Sequence, residues 1–200
     1  MEIILHRVNT IKKLKKVPNY FGTEIDIRSK SSKLILSHDP SSKGDYLENY
    51  LSEYKNGTLI LNLKEAGLEK SVINLVKKYK IKSYFLLDVE FPFIFKAMDE
   101  KLSKNIAVRF SQYEPIDIAN NLINAVNWIW IDTYKKLPLN SKNLKIIKKF
   151  KSCLVCPERW NRESDIKKYV ALFKKLNFKP DAVMTSSKCS KKWLNFYNKD

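Results

Sequence analysis

Glycine is scarce in this chain, with four in 200 residues. No glycine-rich loop follows any apolar run, which argues against the phosphate cradles of P-loop and dinucleotide-binding proteins. Histidine occurs only as His6 and His38. Three cysteines are an odd count, which points to reduced thiols and an intracellular setting. Cys153 and Cys156 form a C-x-x-C, but no second pair completes a zinc site. They also read as part of a buried strand, which would send the two sulfurs to opposite faces, so neither a redox nor a metal role is expected. No run approaches the ~20 apolar residues of a membrane-spanning helix. The most apolar stretch, Tyr84 to Phe95, is interrupted by Asp88 and Glu90. Met1 to Arg7 has too short an apolar run, and no basic residue ahead of it, for a signal peptide. The expected location is cytoplasmic.

Acidic residues are also in deficit. Lys+Arg number 38 against 21 Asp+Glu, a net charge of +17. Such an excess favours anionic partners, and it is compatible with peripheral contact with a membrane surface. The lysines are spread through every segment, as in a general compositional bias with solvated faces. No helix-turn-helix, RNA-binding or zinc-finger pattern appears, so no specific nucleic-acid partner is expected. What the chain does have is 44% hydrophobic and 12% aromatic residues, enough for a globular fold with a substantial core in one domain over residues 1–200.

Periodicity orders the chain. Strands are expected to begin near residues 3, 23, 58, 82, 105, 127, 152 and 181, with an extra strand at 33–37. Helical spacing marks 45–54, 68–79, 93–102, 116–126, 141–150 and 166–176. Asn9 to Val17 reads as a short helix or turn, and a short tail surrounds Trp193. Eight strand–helix repeats imply parallel pairing with right-handed crossovers. The fold class expected is α/β, a compact (β/α)8 TIM barrel, with an open doubly wound sheet as the competing architecture. His6, Arg7, Glu24, Asp26, His38, Asn62, Lys64, Asp88, Arg109, Asp132 and Glu158 all fall at or near strand C-terminal ends, the rim where barrels build chemistry.

Within Thr23-Glu24-Ile25-Asp26-Ile27-Arg28, period-2 alternation puts Glu24 and Asp26 on one strand face. Carboxylates this close repel unless a cation or a shared proton lies between them. A divalent ion with hard oxygen ligands, Mg²⁺ or Ca²⁺, satisfies that; two solvated acids on an exposed face are the alternative. His6 and His38 flank the pair in sequence, and imidazoles titrating near neutrality can serve as base and acid across one scissile bond.

The run His6-Arg7, Asn9-Thr10, Gly22-Thr23-Glu24-Ile25-Asp26-Ile27 and His38-Asp39 resembles the N-terminal signature of glycerophosphodiester phosphodiesterases: His-Arg-Gly, Glu-Asn-Thr, Gly-x-Glu-x-Asp-Val, then His-Asp. The match spans about the first third of the chain. Beyond it, Asn62-Leu63-Lys64 stands where the family has Glu-x-Lys, and Thr185 resembles its closing strand-Thr element. The resemblance implies a metal-dependent TIM barrel related to phosphatidylinositol-specific phospholipases C and sphingomyelinase D toxins, with a role in lipid metabolism. It also implies a small phosphodiester substrate, a divalent ion (Mg²⁺ or Ca²⁺) held by Glu24, Asp26 and Asn62, and His6 and His38 as the acid–base pair. Attack by a neighbouring substrate hydroxyl would give a cyclic phosphate first. Arg7 and Lys64 would contact the phosphate, and Arg109, Trp130 and Asp132 the headgroup. The sequence departs from the family at Val8, which replaces the glycine, at the shortened loop before Asn9, which lacks the glutamate, at the insertion missing after His38-Asp39, and at Asn62, which replaces a metal-binding acid. These departures motivate the alternative of a catalytically degenerate barrel that binds an anionic phosphate-containing ligand or partner.

Overall fold

The structure is a computed structural model and describes residues 1–40 and 43–197. The chain opens with β1 (Glu2–Leu5), a short helix α1 (Ile11–Leu14), β2 (Gly22–Lys30) and β3 (Lys33–Leu36). Then follow α2 (Leu47–Glu53), β4 (Leu59–Leu63), α3 (Glu69–Lys78), β5 (Tyr84–Leu87) and α4 (Phe91–Asp99). The remainder is β6 (Ala107–Phe110), α5 (Ile116–Asn121), β7 (Trp128–Ile131), α6 (Ser141–Ile147), β8 (Lys151–Val155), α7 (Asp165–Lys175), β9 (Ala182–Thr185) and α8 (Ser187–Tyr197). Leaving out β3, eight strands alternate with helices and pair in parallel, which is the plan of a (β/α)8 barrel.

By compactness the chain forms two units. The first runs from Ile4 to Ile106. In it β1, β2, β4 and β5 lie side by side in parallel, in the register Ile4↔Gly22, Asp26↔Asn62 and Asn62↔Leu87. The far half of β2 instead pairs antiparallel with β3, from Ile27↔Leu36 to Lys30↔Lys33. Ile25, Ile27, Leu59, Ile60, Leu61, Phe85 and Leu86 are wholly buried, the continuous apolar burial of strands covered on both faces. Leu47, Tyr50 and Leu51 bury the inner face of α2, and the Tyr50 hydroxyl meets that of Thr23 at 3.0 Å. Gly44 lies where the chain crosses β3: a Cβ there would come within 2.5 Å of the Leu36 carbonyl oxygen, so only glycine fits.

The second unit takes Met1–Ile3 together with the chain from Ala107 onward. Here β6, β7, β8 and β9 are parallel neighbours, and the Glu2 amide donates to the Asp181 carbonyl at 2.7 Å. Ile129, Leu154, Val183 and Trp193 are fully buried. A capping box between Asn140 and Asn143 starts α6.

Helix ends show what the glycine shortage costs. After α3, Lys80 adopts φ 54°, its amide bonds to the Lys77 carbonyl, and the Ile81 amide bonds to that of Val76. This is a Schellman motif, whose left-handed position is normally glycine. Lys101 after α4 and Asn177 after α7 repeat it.

The expected strands all form, with shifted edges. Strand β6 starts later than residue 105 because Ser103–Asn105 is a 3₁₀ turn. Helix α4 starts earlier than residue 93, since Pro92 suits a first helical turn where no amide hydrogen is needed, and it stops before the left-handed Lys101. Helices α5 and α6 end at Asn121 and Ile147, short of their expected limits. The expected tail around Trp193 is instead an eleven-residue helix, α8, anchored by the buried indole.

Candidate active site

In the first unit the ends of β1, β2 and β4 bring six of the expected residues together. Glu24 and Asp26 are each 1% exposed, so they are not solvated acids on an open strand face. Glu24 accepts a hydrogen bond from the Arg7 amide at 2.8 Å through Oε2 and from Asn62 Nδ2 at 2.9 Å through Oε1. His6 Nε2 lies 3.9 Å from Glu24 Oε2. Asp26 accepts from Asn9 Nδ2 at 2.8 Å, and the Asp26 amide donates back to Asn9 Oδ1 at 2.9 Å. The Arg7 guanidinium comes within 3.9 Å of Asp26 Oδ2, and the Lys64 ammonium within 3.2 Å of Oδ1. Lys64 also lies 3.8 Å from Asp88.

Local backbone geometry explains how the side chains reach these positions. Arg7 and Asp88 take left-handed φ values of 54° and 61°, uncommon for residues with a Cβ and typical of functional strand ends. The turn at Arg7 lets its amide serve Glu24 while its side chain serves Asp26. The Val8 amide bonds to the Glu24 carbonyl at 2.9 Å, which pins the loop after β1. Burial first, and the nearby Asp26 charge second, raise the Glu24 carboxyl well above its ordinary value; the Asn62 and Arg7 hydrogen bonds only partly oppose this.

His38 follows β3. Its Nδ1 lies 2.6 Å from Asp39 Oδ1, and that hydrogen bond holds the Asp39 carboxyl below its usual value. The Ser37 amide bonds to the Asp26 carbonyl at 3.0 Å, so the strand that delivers His38 is tied to the acidic pair. Arg28 Nε donates to the His38 carbonyl at 3.1 Å, and Arg28 is itself paired with Glu65 at 3.2 Å. Sequence reasoning missed Arg28, Glu65 and the Asn9 clamp as site-forming groups. The Asn9-Thr10 motif was visible, but its double bond to Asp26 depends on a loop conformation that no periodicity reports.

Among the described residues, no three His, Cys, Asp or Glu side chains converge as a metal-binding group. The expected third ligand is the Asn62 amide. Asn62 Oδ1 is buried without a hydrogen bond, and buried Asp26 Oδ1 is met only by the Lys64 ammonium at 3.2 Å. A buried oxygen is costly to leave unmet, and together with Glu24 these two form a hard-oxygen donor set that fits Mg²⁺ or Ca²⁺. Lys64 is the competing cation, already beside Asp26.

Arg109, Trp130 and Asp132 belong to the second unit and form their own cluster. Asp132 Oδ2 accepts from Arg109 Nη1 at 3.1 Å and Trp130 Nε1 at 3.4 Å. Its Oδ1 accepts from the Thr133 amide at 2.8 Å and Trp160 Nε1 at 3.3 Å. Asp132 is thus the hub of a nearly satisfied buried network, and Trp130 is buried beside it. Trp160 and Tyr134, whose rings lie 4.9 Å apart, are members that no sequence pattern flagged. Glu158 is held by Thr185 and by the Ser186 amide. All three cysteines are buried free thiols, and burial pushes the Cys156 thiol up.

No protein-family model matches the sequence, and no curated protein matches it either. Solved structures do match in fold. A protein of Agrobacterium tumefaciens described as a glycerophosphoryl diester phosphodiesterase superposes with a TM-score of 0.69 at 9% identity, over 100% of this chain and 99% of its own. A phosphodiesterase of Oleispira antarctica, solved with the product sn-glycerol-3-phosphate, gives 0.65 at 18% identity over 99% and 97%. A glycerophosphoryl diester phosphodiesterase of Parabacteroides distasonis gives 0.62 at 12% identity over 92% and 81%. The chain therefore shares the fold of two solved proteins described as glycerophosphoryl diester phosphodiesterases, the family that its strand-end residues resemble, and of a third described as a phosphodiesterase.

Proposed function

We propose that the protein is a phosphoric diester hydrolase acting on a small glycerophosphodiester-like substrate. One observation carries the reading: Glu24 and Asp26, both buried, are framed by His6, Arg7, Asn62 and Lys64 at the strand ends of this fold. Glu24, Asp26 and Asn62 would hold a divalent ion, Mg²⁺ or Ca²⁺, which when bound supplies positive charge for a non-bridging phosphate oxygen. Arg7 and Lys64 bring two further cations to the phosphate and oppose the charge that develops on it. His6 and His38 divide proton transfer, one taking the proton of the attacking hydroxyl and the other giving one to the leaving alkoxide. Asp39, hydrogen-bonded to His38 Nδ1, leaves Nε2 as the nitrogen that exchanges protons with substrate. The attacking hydroxyl is the substrate's own neighbouring group, giving a cyclic phosphate first.

The test is release of the alcohol from a glycerophosphodiester in the presence of Mg²⁺ or Ca²⁺. Turnover should be lost in chelator and fall at least ~10²-fold in His6→Ala and in His38→Ala. Full activity in either variant or in chelator refutes the mechanism. A second reading, a barrel that binds a phosphate-containing ligand without turning it over, draws on Asn62 in place of an acid and on Lys64 at 3.2 Å from Asp26. Binding of inorganic phosphate by a protein that turns over no phosphodiester would favour it.

A further inference from the structure

Helix α4 in the first unit turns large apolar side chains to solvent. Phe91 is 57% exposed, Phe95 65% and Met98 39%, while Ile94 and Ala97 face the interior. Successive spacings of four and three residues stack the exposed trio along one helix face. They are three of the seven exposed large hydrophobic residues among those described, so the exposure is concentrated rather than scattered. The helix begins just past β5, close after Asp88, whose carboxylate lies 3.8 Å from the Lys64 ammonium. The stripe therefore starts on the rim that carries the candidate site.

The size of the stripe and the charge of the chain select what covers it. A stable protein–protein interface buries roughly 800 Å² per partner with about 20–30 residues a side, and three side chains on a nine-residue helix fall far short. A bilayer surface needs less: a few aromatic or aliphatic side chains at the headgroup boundary, assisted by attraction to anionic lipid. The net charge of +17 provides that attraction. Close to the stripe the charges are balanced, with exposed Glu90, Asp99 and Glu100 set against Lys96, Lys101 and Lys70, the last paired with Glu100 at 2.8 Å. Charge thus brings the protein to an anionic surface, and the apolar stripe fixes which face meets it.

We propose that α4 docks the protein on an anionic membrane surface through Phe91, Phe95 and Met98. The docking stands without the phosphodiesterase reading; that lipid phosphodiesters are the substrate pool rests on it.

The experiment is co-sedimentation with phosphatidylcholine vesicles, with and without phosphatidylglycerol, over a range of salt. Wild type is compared with the Phe91→Ser/Phe95→Ser double variant, both changes being at exposed positions and folding being checked by thermal melting. Wild type should bind the anionic vesicles, and the double variant should bind at least about tenfold more weakly at every salt concentration. Equal binding by the two proteins overturns the proposal, since charge alone would then account for it. A wild-type dimer in sedimentation equilibrium that the double variant loses also overturns it, in favour of a second copy on this face. Vesicle binding that depends on the stripe, without turnover of any phosphodiester, leaves the docking standing and removes only the enzymatic reading.

Discussion

Asn62→Asp restores the carboxylate that the family signature carries at this strand position, and its effect on the metal-free protein can be worked from the structure. Asn62 Nδ2 donates to Glu24 Oε1 at 2.9 Å, and both residues are buried. The substitution replaces this donor with a third carboxylate oxygen facing Glu24 and close to Asp26. Two unit charges 2.9 Å apart repel by about 6 kcal/mol at an effective dielectric of 20. Relaxation and uptake of a proton cap the cost, while loss of the hydrogen bond adds ~1–3 kcal/mol. A net destabilisation of about 3–5 kcal/mol at pH 8 is the expected result. For a chain of this size that lowers Tm by about 6–20 °C. The assay is thermal melting in chelator, repeated with Mg²⁺ or Ca²⁺ in excess. The variant should melt well below wild type in chelator and gain more than wild type from the cation, because a divalent ion neutralises the added charge. The reasoning is refuted if Asn62→Asp melts within a degree of wild type in chelator, or if the cation stabilises both proteins equally.

Two further predictions follow from the same structure. Burial and Asp26 raise the Glu24 carboxyl from 4.5 to about 7, so the metal-free folded state holds a proton that the unfolded chain releases. The stability from this group is full below pH 4.5 and is lost as the pH climbs through about 7; in chelator, Glu24→Gln should flatten that decline, and an unchanged pH profile would show that Glu24 is not its source. At the helix ends, Lys80→Gly and Lys101→Gly relieve left-handed residues that carry a Cβ. Together they should stabilise the protein by roughly 1–2 kcal/mol and raise Tm by a few degrees, whereas a lower Tm would mean that the lysine side chains hold those turns.

The alternation of strands and helices was legible because each buried strand is a short apolar run bounded by polar residues. The Glu24–Asp26 pair was legible because both acids interrupt such a run at period 2. Edges were less so. Pro92 moved α4 earlier, and Lys80, Lys101 and Asn177 sit in conformations that sequence rules assign to glycine. Helix α8 leaves little helical pattern in the sequence, because its buried residues among those described, Cys189, Ser190 and Trp193, are mostly small or polar. The groups that set up His38 were invisible for a different reason. Arg28 acts through a backbone carbonyl and Glu65 acts through Arg28, and neither contact leaves a trace in spacing. Asp132 was legible as a strand-end acid, but not as a carboxylate already shared among four donors.

The pairing of Asp26 with Asn62 across β2 and β4 makes the site a gauge of strand alignment. Side chains alternate faces along a strand, so a slip of one residue would turn Asn62 away and set Leu61 or Leu63 beside the carboxylates. A misaligned chain could keep its helices and much of its apolar burial, and look native by circular dichroism, while lacking the Asn62 oxygen that completes the donor set. If the proposed site binds a cation, that binding counts correctly threaded molecules, and its return during refolding times the closure of β4 against β2.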